Sequence, residues 1–110
     1  MAEDIIDHYL NQDAILQYWE YSYATSFSKC IKIRWEDVMV EAVNILDEYI
    51  LCTGKVMTKE VVTAGTFASG TPRGYVIIWK AMLYSVVQAK VQPGIAGDDV
   101  YTELLVAPIG

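Results

Sequence analysis

Between Trp35 and Cys52 the apolar side chains return at the period of a helix. Val38, Ala42, Ile45, Tyr49 and Cys52 are spaced by four, three, four and three positions, with Met39, Val43, Leu46 and Ile50 as the adjacent stripe. A helix buries such a stripe against a core, so the spacing predicts a helix over about 35–52. Thr53-Gly54 follows it, where a glycine takes positive φ and meets the last free carbonyls. Thr71-Pro72 predicts the start of a second helix, with Pro in the first turn. Tyr75, Trp79, Met82, Val86 and Ala89 repeat the four-three spacing, and Gln92-Pro93-Gly94 ends the run near residue 91.

The rest of the chain is less strongly patterned. Over residues 3–19, Ile5, Ile6, Tyr9 and Leu10 form a helical stripe and Asp13 offers an N-cap, which predicts either two short helices or one kinked helix. Tyr18-Trp19-Glu20-Tyr21-Ser22-Tyr23 fits either a helix or a strand, with a lean to helix; Ile31 to Trp35 alternates as a short strand or an extended approach would. Residues 56–71, rich in Gly, Thr and Ala, predict a hairpin or excursion. In the tail, Val100, Thr102, Leu104 and Val106 alternate as in a strand, although Asp98 could also cap a helical turn. The fold class expected is therefore mainly α: a small bundle with two long helices, about 35–52 and 72–91, a loop or hairpin between them and an extended C-terminal tail. One domain is expected over 1–110, with a helical body at 1–92 and a docking tail at 93–110.

Hydrophobic residues make up 54% of the 110 and charged residues 20%, which excludes a disordered or low-complexity chain. So much apolar surface is hard to hide in one small globule and predicts contact with other chains. The net charge is −6, and ten of the fourteen carboxylates lie in residues 1–55. The eight basic residues are scattered singly, without the clustering that phosphate binding needs. Nucleic-acid binding is not expected as the main role. The acidic start and the absence of an unbroken apolar run of about 20 residues predict a soluble, cytoplasmic chain with no membrane role.

Reactive groups are sparse. Cys30 and Cys52 form no CxxC motif, and with a single histidine they predict two buried free thiols. Asp4 and His8 would stack on a helix but lack a nucleophile. Gly65-x4-Gly70 has Thr71-Pro72 where a phosphate loop needs Lys and Ser/Thr. Glu36, Asp37, Glu41, Asp47 and Glu48 would share one helix face, facing solvent or a cationic partner. No catalytic residue, cofactor or metal ligand is assigned. Tyr18, Trp19, Tyr21 and Tyr23, as aromatics of the kind enriched at interfaces, are expected in a protein interface. So are Glu41 and Glu48 on the acidic face and Leu104, Leu105, Val106 and Ile109 in the uncharged tail.

Two runs carry a resemblance. Glu41-Ala42-Val43-Asn44-Ile45-Leu46-Asp47-Glu48-Tyr49, then Thr53-Gly54-Lys55, resembles one helix of tailed-phage head–tail connector (adaptor) proteins. Pro72 through Lys80-Ala81-Met82-Leu83-Tyr84-Ser85-Val86-Val87 is similar to their later helix; Leu51-Cys52 and Gln88–Gln92 depart from the pattern. The resemblance implies a helical, non-catalytic subunit of a ring, joined to other structural proteins, in the host cytoplasm and then the virion. The functional expectation is a non-enzymatic structural assembly subunit and homo-oligomer of that connector-like kind. The alternative is a small acidic helical interaction or inhibitor protein that binds a basic partner.

Overall fold

Ile31, Ile33 and Trp35 are buried while Lys32, Arg34 and Glu36 are exposed. That two-residue period belongs to a strand with one face on a core, and it sets the architecture of the chain. The computed structural model describes residues 10–21, 24–68, 71–93 and 100–109. The strands are β1 (Gln12–Tyr21), β2 (Ala24–Val43), β3 (Tyr49–Thr58), β4 (Thr66–Ala68), β5 (Thr71–Trp79), β6 (Met82–Pro93) and β7 (Val100–Pro108). Six of them follow one another in the order β1-β2-β3-β7-β6-β5, and β5 pairs back onto β1, so the sheet closes into an antiparallel barrel. The short β4 adds to the start of β5, with Phe67 opposite Pro72.

The barrel is filled by side chains. Ala14, Leu16, Ile31, Ile33, Trp35, Val56, Val62, Ile77, Val86, Leu104 and Val106 form one buried cluster. The Trp35 ring stacks on Trp79 at 4.2 Å and meets Tyr84 at 4.8 Å, and its Nε1–H donates to Asp37 Oδ1 at 2.8 Å. Gly54, opposite Asp37, leaves the space in which the Trp35 ring lies. Elsewhere the chain entering β4 is pressed onto β5, where Gly65 and Gly74 meet backbone to backbone and Gly74 holds φ 118°.

The mainly α bundle expected from the sequence is overturned. The run 35–52 is the end of β2, a turn and the start of β3; the run 72–91 is most of β5 and β6. Chance explains the mistaken period: where over half the residues are apolar, three-four spacings arise beside two-residue ones. Gly54 sits inside β3 as the seat of a tryptophan and is no helix cap, and Pro72 lies in a strand at the β4 pairing. The tail is β7, held between β3 and β6 of its own chain, in place of an extended docking tail outside a helical body. Tyr18 and Trp19 belong to β1, against the lean to helix. Of the helical stretch expected over 3–19, residues 3–9 with the Asp4–His8 pair lie outside the described residues, as do Tyr23 and Gly70, and the part from Gln12 on is strand β1. No helix long and apolar enough to cross a membrane occurs among the described residues.

Candidate protein-interaction surface

β1 begins at Gln12, opposite Ile33, so β2 outruns it by ten residues. From Arg34 to Val43, β2 has β3 as its ladder partner, and past the Asp37–Gly54 pair, where β3 no longer pairs with β7, the two strands run on as an arm. Gln12 reaches across the start of the uncovered edge, where its Oε1 accepts the Trp35 backbone N–H at 2.6 Å. A bulge between Asp37 and Val40 then bends the arm and blunts that edge.

Asn44 sets the tip. Its Oδ1 accepts the backbone N–H groups of Leu46 and Glu48, each at 2.9 Å, and its Nδ2 donates to Glu48 Oε1 at 3.1 Å. Backbone bonds from Asn44 N to Glu48 O and from Asp47 N to Asn44 O complete the turn, with Asp47 at φ 60°. Asn44 thus takes part in five hydrogen bonds, three through its buried side chain and two through its backbone, and Ile45 and Leu46 stand at the apex.

One face of the arm is anchored. Ala42 and Cys52, with Ile50 beside them, pack on Val87, Leu105 and Ala107 as a second apolar cluster outside the barrel. Gln88 Nε2 donates to the Val43 carbonyl at 2.8 Å. Burial pushes the Cys52 thiol pKa up, which keeps it protonated and inert. Nearby, Lys55 lies 3.3 Å from Glu103, whose carboxylate accepts a hydrogen bond from the ammonium and holds its pKa above the ordinary lysine range.

The other face is bare. Met39 is 75% exposed, Tyr49 76%, Ile45 58%, Leu51 50% and Leu46 48%. With Val40, which lies opposite Cys52 on the anchored face, these are six of the ten large apolar side chains exposed among the described residues. Glu36, Asp37, Glu41, Asp47 and Glu48 are exposed among them, and no Lys or Arg occurs between Trp35 and Gly54. The arm therefore carries exposed apolar side chains among carboxylates, with Glu41 opposite Leu51 and, at its base, Lys55 opposite Glu36. No family model, curated protein or solved structure matches the chain.

Of the residues singled out from the sequence, Glu41 and Glu48 lie on this arm and face solvent. Leu104 and Val106 are fully buried in the barrel, and Leu105 belongs to the cluster beneath the arm. Ile109 is half-buried and donates its N–H to the Leu83 carbonyl. Trp19 is buried, and Tyr18 packs edge-on against Tyr75 at 5.1 Å. Tyr21 ends β1. Cys30 is exposed, contrary to the expectation of two buried thiols. Met39, Ile45, Leu46 and Tyr49 were not singled out because the helical period puts them on the two adjacent stripes expected to face a core, and Leu51 falls in neither stripe. The available signal was Asn44 and Asp47 bracketing two residues, a turn composition between apolar runs. Among the described residues no group of three or more His, Cys, Asp or Glu side chains is placed to hold a metal ion.

Proposed function

We propose that this chain is a non-enzymatic structural assembly subunit that joins neighbouring protein chains through the β2–β3 arm. The observation that carries the reading is the concentration of exposed Met39, Ile45, Leu46, Tyr49 and Leu51 on one element that is otherwise rigidly held. Exposed apolar side chains gathered on one element mark interaction surfaces where singly scattered ones do not, and aromatic and Met side chains are enriched at interface centres. A surface already fixed by Asn44 and by the cluster beneath it loses little freedom on docking, which favours affinity. The runs behind the connector resemblance form strands, so the proposal rests on the arm alone.

Light scattering of the purified chain should give a mass several times the 12.3 kDa protomer. Ile45→Asp with Leu46→Asp should return it to protomer mass with its strand circular dichroism unchanged. A wild-type chain that stays at protomer mass throughout would remove the assembly reading. It would leave the second one, a small acidic protein binding a basic partner, which the five carboxylates on the arm favour.

A further inference from the structure

Where the tip of the arm returns to the barrel it leaves a cleft of about 430 Å³, inside the range of roughly 300–1,000 Å³ that suits small ligands. Val43 and Ile45 come from the arm, Ala64 from the segment ahead of β4, and Val87, Ala89 and Leu105 from β6 and β7, so the lining is mainly apolar. Val87 and Leu105 belong also to the cluster that anchors the arm, so the cleft borders on packed side chains. Ile45 and Ala64 separate it from a hollow of about 160 Å³, below that range, which is lined by Arg73 and by no acidic side chain.

Four polar side chains line the larger cleft, and three of them are committed within the protein. Asn44 holds the turn at the tip, Gln88 Nε2 donates to the Val43 carbonyl at 2.8 Å, and Glu103 lies 3.3 Å from the Lys55 ammonium. The fourth, Lys90, is exposed, stands opposite Glu103 in the β6–β7 ladder and has no ion pair among the described residues. Two ammonium groups thus share one carboxylate, which leaves one positive charge in surplus at this end of the cleft. The carboxylates of the arm are not part of the lining, and salt screens exposed charges beyond about 8–10 Å.

We propose that this cleft binds an aliphatic monocarboxylate, with its chain against Val43, Ile45, Val87 and Leu105 and its carboxylate on the Lys90 ammonium. The lining takes the methylenes, and a single unpaired cation takes a single anionic head through a charge-assisted hydrogen bond. An exposed ion pair contributes little, so the chain supplies most of the affinity and the head group sets the orientation. This site goes beyond the assembly reading and does not depend on it, since occupancy is counted per chain.

Isothermal titration calorimetry of the full chain with hexanoate, octanoate and decanoate, each below its micelle concentration, tests the assignment. Binding should saturate at one ligand per chain and tighten by up to about four-fold per added methylene. Ala64→Phe, which fills the cleft, should abolish the heat. Lys90→Gln should weaken octanoate by about two- to five-fold and leave 1-octanol unchanged, with circular dichroism showing that both variants keep their strands. Octyltrimethylammonium should bind more weakly than octanoate. A cation that binds more tightly would overturn the anionic head, because the carboxylates of the arm would then govern the site. A loss on Lys90→Gln shared equally by octanoate and 1-octanol would overturn the role of Lys90. The absence of saturable binding, or binding that a folded Ala64→Phe chain retains, would overturn the cleft itself.

Discussion

Gly54 and Trp35 show how one missing side chain can position the largest one. A Cβ at Gly54 would lie inside the Trp35 ring, which is also stacked on Trp79. Gly54→Ala should therefore displace the tryptophan and lower stability by about 1–3 kcal/mol, the usual cost of overpacking a tight core. Chemical denaturation followed by tryptophan fluorescence measures both effects; an unchanged midpoint would mean that the ring has room to move. The two cysteines make a second test at this scale. Cys30 is exposed, whereas Cys52 is buried with its thiol pKa raised by that burial. An alkylating reagent should modify one thiol per native chain at Cys30 and reach Cys52 only when the chain is unfolded. Rapid native labelling of both would show that the arm lifts from β6 and β7.

At the scale of elements, the β5–β6 hairpin turns on Lys80 and Ala81, at φ 50° and 62°. A two-residue hairpin loop of this hand favours Asn and Gly, since other residues crowd the backbone there. The Lys80 ammonium lies 4.5 Å from the centre of the Trp79 ring and offsets part of that strain. Ala81→Gly should stabilise the chain by about 1 kcal/mol, read as a higher melting temperature. This turn also explains what the sequence hid. With no Gly, Asn or Asp between Trp79 and Met82, nothing interrupts the apolar run, and a continuous helix fits it as well as two strands. The alternation at Ile31–Trp35 was legible because Lys32 and Arg34 separate the buried positions. In the tail, Val100–Val106 could be read as a strand for the same reason. Glu41 and Glu48 were recognisable as surface since charge is costly to bury in either geometry. The apolar half of the arm was not, because which face an Ile or Leu occupies follows from the period, and the wrong period was chosen.

Considered as a whole, the chain is one closed circuit in which β7 occupies the place between β3 and β6. Leu104 and Val106 are fully buried there, and each such side chain contributes about 1.5–3 kcal/mol. Total stabilities of roughly 5–15 kcal/mol leave little margin for losing both together with two ladders of backbone hydrogen bonds. Deleting everything after Asp99 should therefore abolish the cooperative thermal transition, where a mainly helical body would have kept it. Calorimetry decides between them, and a truncated chain that still melts cooperatively would show that the barrel tolerates an open seam.

Closing that circuit also has a cost in time. The β1–β5 and β3–β7 pairings join segments far apart in sequence, as in Ile15 with Ile78 and Gly54 with Val106. Loops that long must be closed before the contacts reward them, so folding should take milliseconds to seconds, as it does for other barrels dominated by non-local pairing. Until β7 arrives, β3 and β6 wait with unsatisfied edges, during which neighbouring nascent chains can pair with them in the wrong register.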